Sequence, residues 1–287
     1  MKFSFIIGTL NRSNELEYCL ESLLAQDYKN FEIIIVDQSG DDKTEDLAKK
    51  VASKRIKYNR VSFRGLSKAR NYALECATGD YICLTDDDAY YSKNYLSTLK
   101  KHFDINPNSI ISGYIWDGVN KKDFIDYSKV QEGKRLSTRQ IIRWCPSPAI
   151  SFPKIVYETI GGFDENFGVG AKYGAGEETD FLLRAKIQNY EVFYWSDVKV
   201  VHPHENAIIA VDEDAENKKA QNYPFGIGAM YKKQLIAGNI EVLFSLSEQI
   251  IKNLVKRLMK RKNADIILSR FIQGYKIYDK DRIENKK

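Results

Sequence analysis

The chain opens on an unbroken apolar run, Phe3-Ser-Phe-Ile-Ile7, and repeats the device at Glu32-Ile-Ile-Ile-Val36 and Tyr81-Ile-Cys-Leu-Thr85. Short runs without alternation mark strands covered on both faces, as in parallel sheets. Weaker extended stretches are predicted at 56–61 and 110–112. Between the runs, apolar positions recur at helical spacing: Leu16, Cys19/Leu20 and Leu23/Leu24, then 44–52, 67–77 and 94–106, the last with Leu96, Leu99 and Phe103 on one face. Strands alternating with helices of about ten residues predict an α/β fold with a parallel, doubly wound sheet. From about residue 116 to 204 the pattern is less regular, with Gly/Pro punctuation and one clear helix at 177–188. Beyond Pro224 the chain reads as helical.

In such sheets ligands bind where the strands end, and the early strands end in polar groups. After the first come Thr9, Asn11 and Arg12; after the second, Asp37; after the Tyr81 strand, Asp86-Asp87-Asp88. Asp37 is either a turn former or a fixed acceptor for a nucleobase. Gly65-Leu-Ser-Lys68-Ala-Arg70-Asn71 opens a helix whose N-terminus could hold an anion, or is a solvated helix face. The acidic triplet is either a solvated turn or a site for a hard divalent cation. Alternation in extended chain would turn Asp86 and Asp88 one way and Asp87 the other. Gly174-Ala-Gly-Glu177-Glu178-Thr-Asp180 leads into a helix whose acidic first turn suits the helix dipole, or supplies a general base. His202 and His204, two apart after a β-like run, could give a metal ligand and its orienting partner. His102 reads as a surface residue.

Composition narrows the class. Apolar residues make up 43% and charged residues 29%, ordinary for a globular protein. No run approaches the roughly 18 apolar residues needed to span a bilayer, and the start lacks a cleavage-site pattern, so no signal peptide is expected. The four scattered cysteines form no CxxC pair, which predicts neither a zinc site nor a disulfide framework and fits a cytoplasmic chain. The net charge of +5 is uneven: residues 236–287 hold 12 Lys/Arg against 6 Asp/Glu, and the first 235 hold 32 against 33. A nucleic-acid binder is not indicated.

Taken in order, the motifs resemble those of GT-A fold glycosyltransferases of family 2, the large inverting group. The resemblance rests on Ile6-Ile-Gly-Thr-Leu-Asn-Arg12, Glu32-Ile-Ile-Ile-Val-Asp37, Gly65-Leu-Ser-Lys-Ala-Arg-Asn71, Gly79-Asp-Tyr-Ile-Cys-Leu-Thr-Asp-Asp-Asp88, Gly161-Gly-Phe-Asp-Glu165 and Gly176-Glu-Glu-Thr-Asp180, and covers about residues 3–205. It implies a Rossmann-like, mostly parallel sheet flanked by helices, with a helical C-terminal extension. Residues 1–115 would be the nucleotide-sugar half, 116–235 the acceptor half, and 236–287 a basic amphipathic segment. It further implies donor contacts from Thr9, Asn11, Arg12, Asp37, Lys68, Arg70, Asn71, Asp86 and Asp87, and Mn²⁺ or Mg²⁺ on Asp88 and His202. Glu178 would be the catalytic base, with Glu177, Asp180, Trp144 and Trp195 on the acceptor side. The base position reads Glu177-Glu178 where the family usually has Glu-Asp, so Glu177 or Asp180 stays open for that role. Ala89 stands where many members have another Asp.

The implied reaction is transfer of a single sugar from a nucleoside-diphosphate sugar, a UDP-sugar foremost, to a saccharide or lipid-linked saccharide in bacterial surface-polysaccharide synthesis. Gln140-Ile-Ile-Arg-Trp144 matches a pattern of processive members but precedes the Glu177-Glu178 motif, and reads as coincidence. A sugar nucleotidyltransferase would share the sheet, yet Gly8-Thr-Leu-Asn-Arg12 lacks its glycine-rich phosphate loop. A non-catalytic nucleotide or glycan binder is the remaining alternative. In the tail, Leu243, Leu246, Ile250, Ile251, Leu254, Val255, Leu258 and Met259 share one helix side, and Lys252, Asn253, Lys256, Arg257, Lys260 and Arg261 the other. The favoured expectation is packing against the chain's own domain. The alternative is a peripheral helix on the inner face of the cell membrane.

Overall fold

The apolar runs become neighbouring strands of one nine-stranded sheet. In the computed structural model, which describes residues 1–202 and 213–284, they are β1 (Phe3–Thr9), β2 (Phe31–Asp37), β3 (Ile56–Arg60) and β4 (Tyr81–Thr85). Their order is β3-β2-β1-β4 and all are parallel. Every residue of β2 and β4 is buried, so neither sequence alternates. Helices α1 (Ser13–Leu24), α2 (Lys43–Val51) and α3 (Leu66–Cys76) make the crossovers. Ile6, Ile34 and Leu84 face one core with Ala69 and Ala73 of α3; Phe5, Ile7 and Ile35 face the other with Leu16 and Leu20 of α1. Register sets Thr9 beside Asp37 and Ile7 beside Thr85. The carboxyl ends of these strands are thereby level, and the polar residues that follow share one edge.

The second half continues through β5 (Tyr90–Tyr91), α4 (Tyr95–Ile105), β6 (Ile110–Asp117), β7 (Lys122–Asp123) and α5 (Thr138–Trp144). It then runs through a 3₁₀ turn (Ser147–Ala149), β8 (Ile150–Pro153), α6 (Lys154–Ile160), α7 (Glu177–Ile187) and β9 (Val192–Val201). The sheet extends from β4 through β8, β6 and β9 to β5, with β7 beside β6. β8 runs antiparallel to both its neighbours, as β5 does to β9 and β7 to β6. The sheet is therefore mixed, parallel from β3 to β4 and between β6 and β9, and neither mostly parallel nor doubly wound throughout. β8 has four residues, follows Pro148 closely and ends on Pro153, too short and too Pro-marked to read as a central strand. β6 crosses residue 116, and the two expected halves share one sheet.

Among the described residues three helices follow: α8 (Glu213–Ile236), α9 (Val242–Leu258) and α10 (Ala264–Glu284). α8 begins well before Pro224, which lies inside it. The favoured expectation for the tail holds in part: Val242 and Leu246 pack into the core of the chain's own domain, and Asn253, on the polar side of the sequence pattern, is buried with them. α9 buries Val242, Ser245, Leu246 and Asn253 and turns the rest of its apolar stripe outward. The hydrophobic period identifies residues that share a face, and carries no information about which face points in.

Candidate active site

The acidic triplet follows β4 directly in a turn closed by Ala89 N–H donating to Asp86 O at 3.1 Å. This turn, not extended-chain alternation, sends Asp86 and Asp88 one way and Asp87 the other. Asp88 Oδ1 lies 3.0 Å from His202 Nε2, and Asp86 Oδ2 lies 3.7 Å from the same nitrogen. Asp87 turns toward the end of β1, where the Thr9 hydroxyl donates to it at 2.8 Å. Arg12 bridges the two directions, 2.9 Å from Asp87 and 2.6 Å from Asp88. Burial pushes both carboxyls up. For Asp87 it outweighs Arg12 and Thr9 and leaves the group at about 7. For Asp88 the opposing His202 and Arg12 win and hold it at about 2. Asp88 is therefore the anionic member, and Asp87 serves as the seat of Arg12.

A second group of charges is tied to the first through Arg70. This guanidinium is 1% exposed. It donates to Asp86 Oδ1 and Glu177 Oε1, each at 3.1 Å, and to the Ser147 hydroxyl. Ser147 in turn donates to Asp86 at 3.2 Å. Glu177 and Glu178 open α7 behind Gly176, whose φ of 97° lies in the left-handed region open to glycine. Gly168, at φ 96°, lets its loop cover Glu177: a Cβ there would sit 3.0 Å from the Glu177 carboxyl carbon and from Ser67 Oγ. Glu178 is pushed up from the ordinary carboxylate range by burial first and by the charge of Glu177 next, with Arg70 opposing. A carboxyl raised toward neutrality is suited to take up a proton.

Several predicted site residues are engaged elsewhere. Asn71 holds the Gly162–Phe163 turn, accepting from Phe163 N at 2.8 Å and donating to Phe163 O at 2.9 Å, so it is not a free donor contact. Asp180 is fully buried in an ion-pair cluster with Arg184 at 2.9 Å and Lys233 at 2.7 Å, a structural role and not an acceptor-side one. Trp144 is buried and donates to Asp126 O at 3.0 Å. Trp195 stacks on His102 at 4.0 Å between centroids, so neither tryptophan offers a face to a sugar. His102 is correspondingly packed, and its Nε2 lies 2.8 Å from Asp197. Gln140 is spent on the capping box of α5. Arg70, expected at the donor, is a buried strut. The anion site expected at the start of α3 is covered: Leu66 N–H donates to Val169 O at 2.9 Å, and Ser67 to Phe167 O at 2.6 Å. Lys68 stays half-exposed, 3.9 Å from Glu165. Asn11, at φ 57°, turns the chain after β1 and donates its N–H to Ser39 Oγ at 2.8 Å.

Asp37 realises the turn-forming alternative. It is fully buried, accepting from Ser39 N and from the Tyr58 hydroxyl, each at 2.8 Å. Tyr58 and Ser147 were not foreseen. Ser147 carries a faint signal, sitting between Pro146 and Pro148 where a rigid turn could aim a short hydroxyl. His204 lies outside the described residues.

Among the described residues no three Asp, Glu, His or Cys side chains already form a metal cluster. The chemistry of Asp88 and His202 nevertheless fits a divalent ion. Adjacent ligands of an octahedral ion held at about 2.1 Å lie roughly 3 Å apart, the spacing of Asp88 Oδ1 and His202 Nε2. Such ions commonly use one or two protein groups and complete their shell with phosphate and water.

A family model described as glycosyl transferase family 2 matches residues 4–154. A curated relative from Escherichia coli, UDP-Glc:alpha-D-GlcNAc-diphosphoundecaprenol beta-1,3-glucosyltransferase WfaP, is 39% identical over 95 residues, which is 33% of this chain and 38% of its own length. The matched stretches span only 15% to 38% of the lengths of the first curated relatives. Among solved structures, S. aureus TarS 1-349 in complex with UDP-GlcNAc aligns with a TM-score of 0.66 at 20% identity, covering 96% of this chain and 82% of that one. Mannosyltransferase PcManGT from Pyrobaculum calidifontis, in complex with GDP-Man and Mn²⁺, aligns at 0.60 and 18%, covering 98% and 88%. At these identities the structural likeness establishes the fold, which is GT-A.

Proposed function

Because the chain belongs to glycosyl transferase family 2, we propose that it is a divalent-metal-dependent, inverting enzyme that moves one sugar from a nucleoside-diphosphate sugar to a saccharide acceptor. The observation that carries the reading is the pairing of two unlike carboxylate sites across Arg70. Asp88 Oδ1 lies 3.0 Å from His202 Nε2 at the end of β4, and Glu178 is raised toward neutrality at the start of α7. A sugar displacement needs both, one where charge builds on the departing diphosphate and one where the acceptor hydroxyl loses its proton.

Asp88 and His202 would hold Mn²⁺ or Mg²⁺, with Asp86 beside them; the ion when bound would neutralise charge on the diphosphate. Arg12 and Asp87 set the position of Asp88 from the β1 side. Thr9, Asn11 and Asp37 shape the strand edge on which the nucleotide lies, and exposed Lys68 is available to its phosphates. Glu178 takes the acceptor proton on the opposite face of the sugar, so the anomeric centre inverts in one displacement with no enzyme nucleophile. Glu177, bonded to Arg70, keeps Glu178 in place and is not itself the base.

The acceptor we propose is a lipid-linked saccharide of bacterial surface-polysaccharide synthesis, taken up at the inner face of the cell membrane. WfaP, by its name, acts on a GlcNAc-diphosphoundecaprenol. No helix among the described residues is long and apolar enough to cross a membrane. A thermal-shift screen of UDP-, GDP- and dTDP-sugars with Mn²⁺ tests the donor side. One nucleotide class is expected to raise the melting temperature with Mn²⁺ and to lose its effect with EDTA. Pyrophosphate release from a nucleoside triphosphate and a sugar 1-phosphate would point to a nucleotidyltransferase instead.

A further inference from the structure

Helix α9 buries Val242 and Leu246 in the core but leaves most of its apolar side chains on the outer face. On its inner arc, the Ser245 hydroxyl lies 2.8 Å from that of Tyr231. Asn253 is 1% exposed, and neither atom of its amide has a partner among the described residues. At about 100° per residue, the opposite arc carries Leu243, Phe244, Ile251, Leu254 and Leu258, which are 42% to 82% exposed. Half a turn of rotation would bury that row and return Asn253 to water. The helix is instead pinned in the present sense at its first turns. Glu241 accepts from Lys186 Nζ of α7 at 2.7 Å and from the Thr138 hydroxyl of α5. Arg139 of α5 pairs with Glu248 at 2.6 Å. A continuous outward apolar row of this kind marks a surface for something other than water.

The charges beside the row say what that is. From Gln249 to Ala264 the chain has six Lys/Arg and no Asp/Glu. Lys252 is pushed down by partial burial and then by repulsion from Lys256 and Arg143, so cations crowd one flank of the apolar arc. A second copy of this chain would bring a tail with 12 Lys/Arg and 6 Asp/Glu against another of the same sign. An anionic bilayer offers an apolar interior and a negative surface to one helix lying in its plane.

We propose that α9 and its turn into α10 lie in the surface of an anionic membrane, with Leu254, Leu258 and Met259 among the acyl chains and Lys252, Lys256 and Lys260 at the lipid phosphates. The helix is fastened to α5 and α7, which lead to Ser147 and carry Glu178, so docking would fix the orientation of the candidate site toward the lipid plane. The inference stands on this surface alone and does not depend on the catalytic reading.

The test is co-sedimentation of the full chain with vesicles of mixed phosphatidylglycerol and phosphatidylcholine, against phosphatidylcholine alone, at low and high salt. The wild type is expected to partition onto the anionic vesicles and to be weakened by salt. The Leu254→Gln/Leu258→Gln variant, changed only at exposed positions, is expected to lose about tenfold or more in partitioning with an unchanged melting temperature. Lys252→Glu/Lys256→Glu is expected to lose the preference for phosphatidylglycerol. The proposal is overturned if the wild type stays in the supernatant with anionic vesicles, or if both variants partition as it does. A dimer in sedimentation velocity that dissociates in Leu254→Gln/Leu258→Gln, without vesicle binding, would make the surface a self-interface and overturn it equally.

Discussion

Glu178→Gln is expected to lower sugar transfer by about 10²- to 10⁴-fold, the usual span for loss of a general base, while nucleotide-sugar affinity stays close to wild type. Gln keeps the size and hydrogen-bonding reach of Glu but cannot take the acceptor proton. The pH profile gives the argument its sign. Burial and the neighbouring charge of Glu177 raise the Glu178 pKa, so its basic form is gained only as pH climbs above the ordinary glutamate range of about 4.3. Turnover should therefore fall on the acid side at a pH nearer neutrality than a free carboxylate would give, and the variant should lose that limb. Stability should move the other way. A carboxyl whose folded pKa is raised binds more protons folded than unfolded, so the folded state weakens as pH rises through that interval. Glu178→Gln should then melt higher than wild type at neutral pH and alike at acid pH. Near-normal turnover in the variant, measured as nucleoside-diphosphate release with acceptor present, would move the base to another carboxylate.

The second large effect is structural. Arg70→Ala is expected to cost about 3–5 kcal/mol, the range for removing one partner from a buried ion pair, read from urea denaturation midpoints. Arg70 is the cation between Asp86 and Glu177, and its loss would leave those carboxylates facing each other with little water. Arg70→Lys is expected to restore only part of the loss. A single ammonium cannot reach Asp86, Glu177 and Ser147 as the planar fork does. A cost under about 1 kcal/mol, typical of a surface pair, would contradict the strut role.

The sequence made β1, β2 and β4 legible because they are buried on both faces and need apolar runs, whereas the edge strand β3 is only half-buried and reads more weakly. The acidic triplet was legible for a related reason: it ends such a run, and topology says what strand ends are for. What escaped it depends on partners far along the chain. Asn71 meets Phe163, 92 residues on, and Arg70 meets Glu177, 107 residues on. No local spacing tells that Asn71 is spent on a turn or Arg70 on two carboxylates. Asp180 looks like a site residue from its neighbours in sequence, and only the arrival of Lys233 from α8 makes it a buried anchor. Trp144 is drawn into the core because a large aromatic surface gains more there than at a wet cleft, and half-buried Trp195 is spent on the His102 ring. The orientation of α9 was open for a different reason: its stripe was plain in the sequence, and the side that faces the protein is set by Glu241 and Glu248, which pair with Lys186, Thr138 and Arg139 far back along the chain.

The central claim is that Asp88 serves the donor through a divalent ion and that Glu178 serves the acceptor separately. The most direct measurement is the melting temperature of wild type, Asp88→Asn and Glu178→Gln with the nucleoside diphosphate that stabilises wild type most, with Mn²⁺ and with EDTA. Wild type and Glu178→Gln should be stabilised alike and only with Mn²⁺, and Asp88→Asn should show no shift. A nucleotide shift in Asp88→Asn equal to that of wild type, or one indifferent to EDTA, would contradict the account.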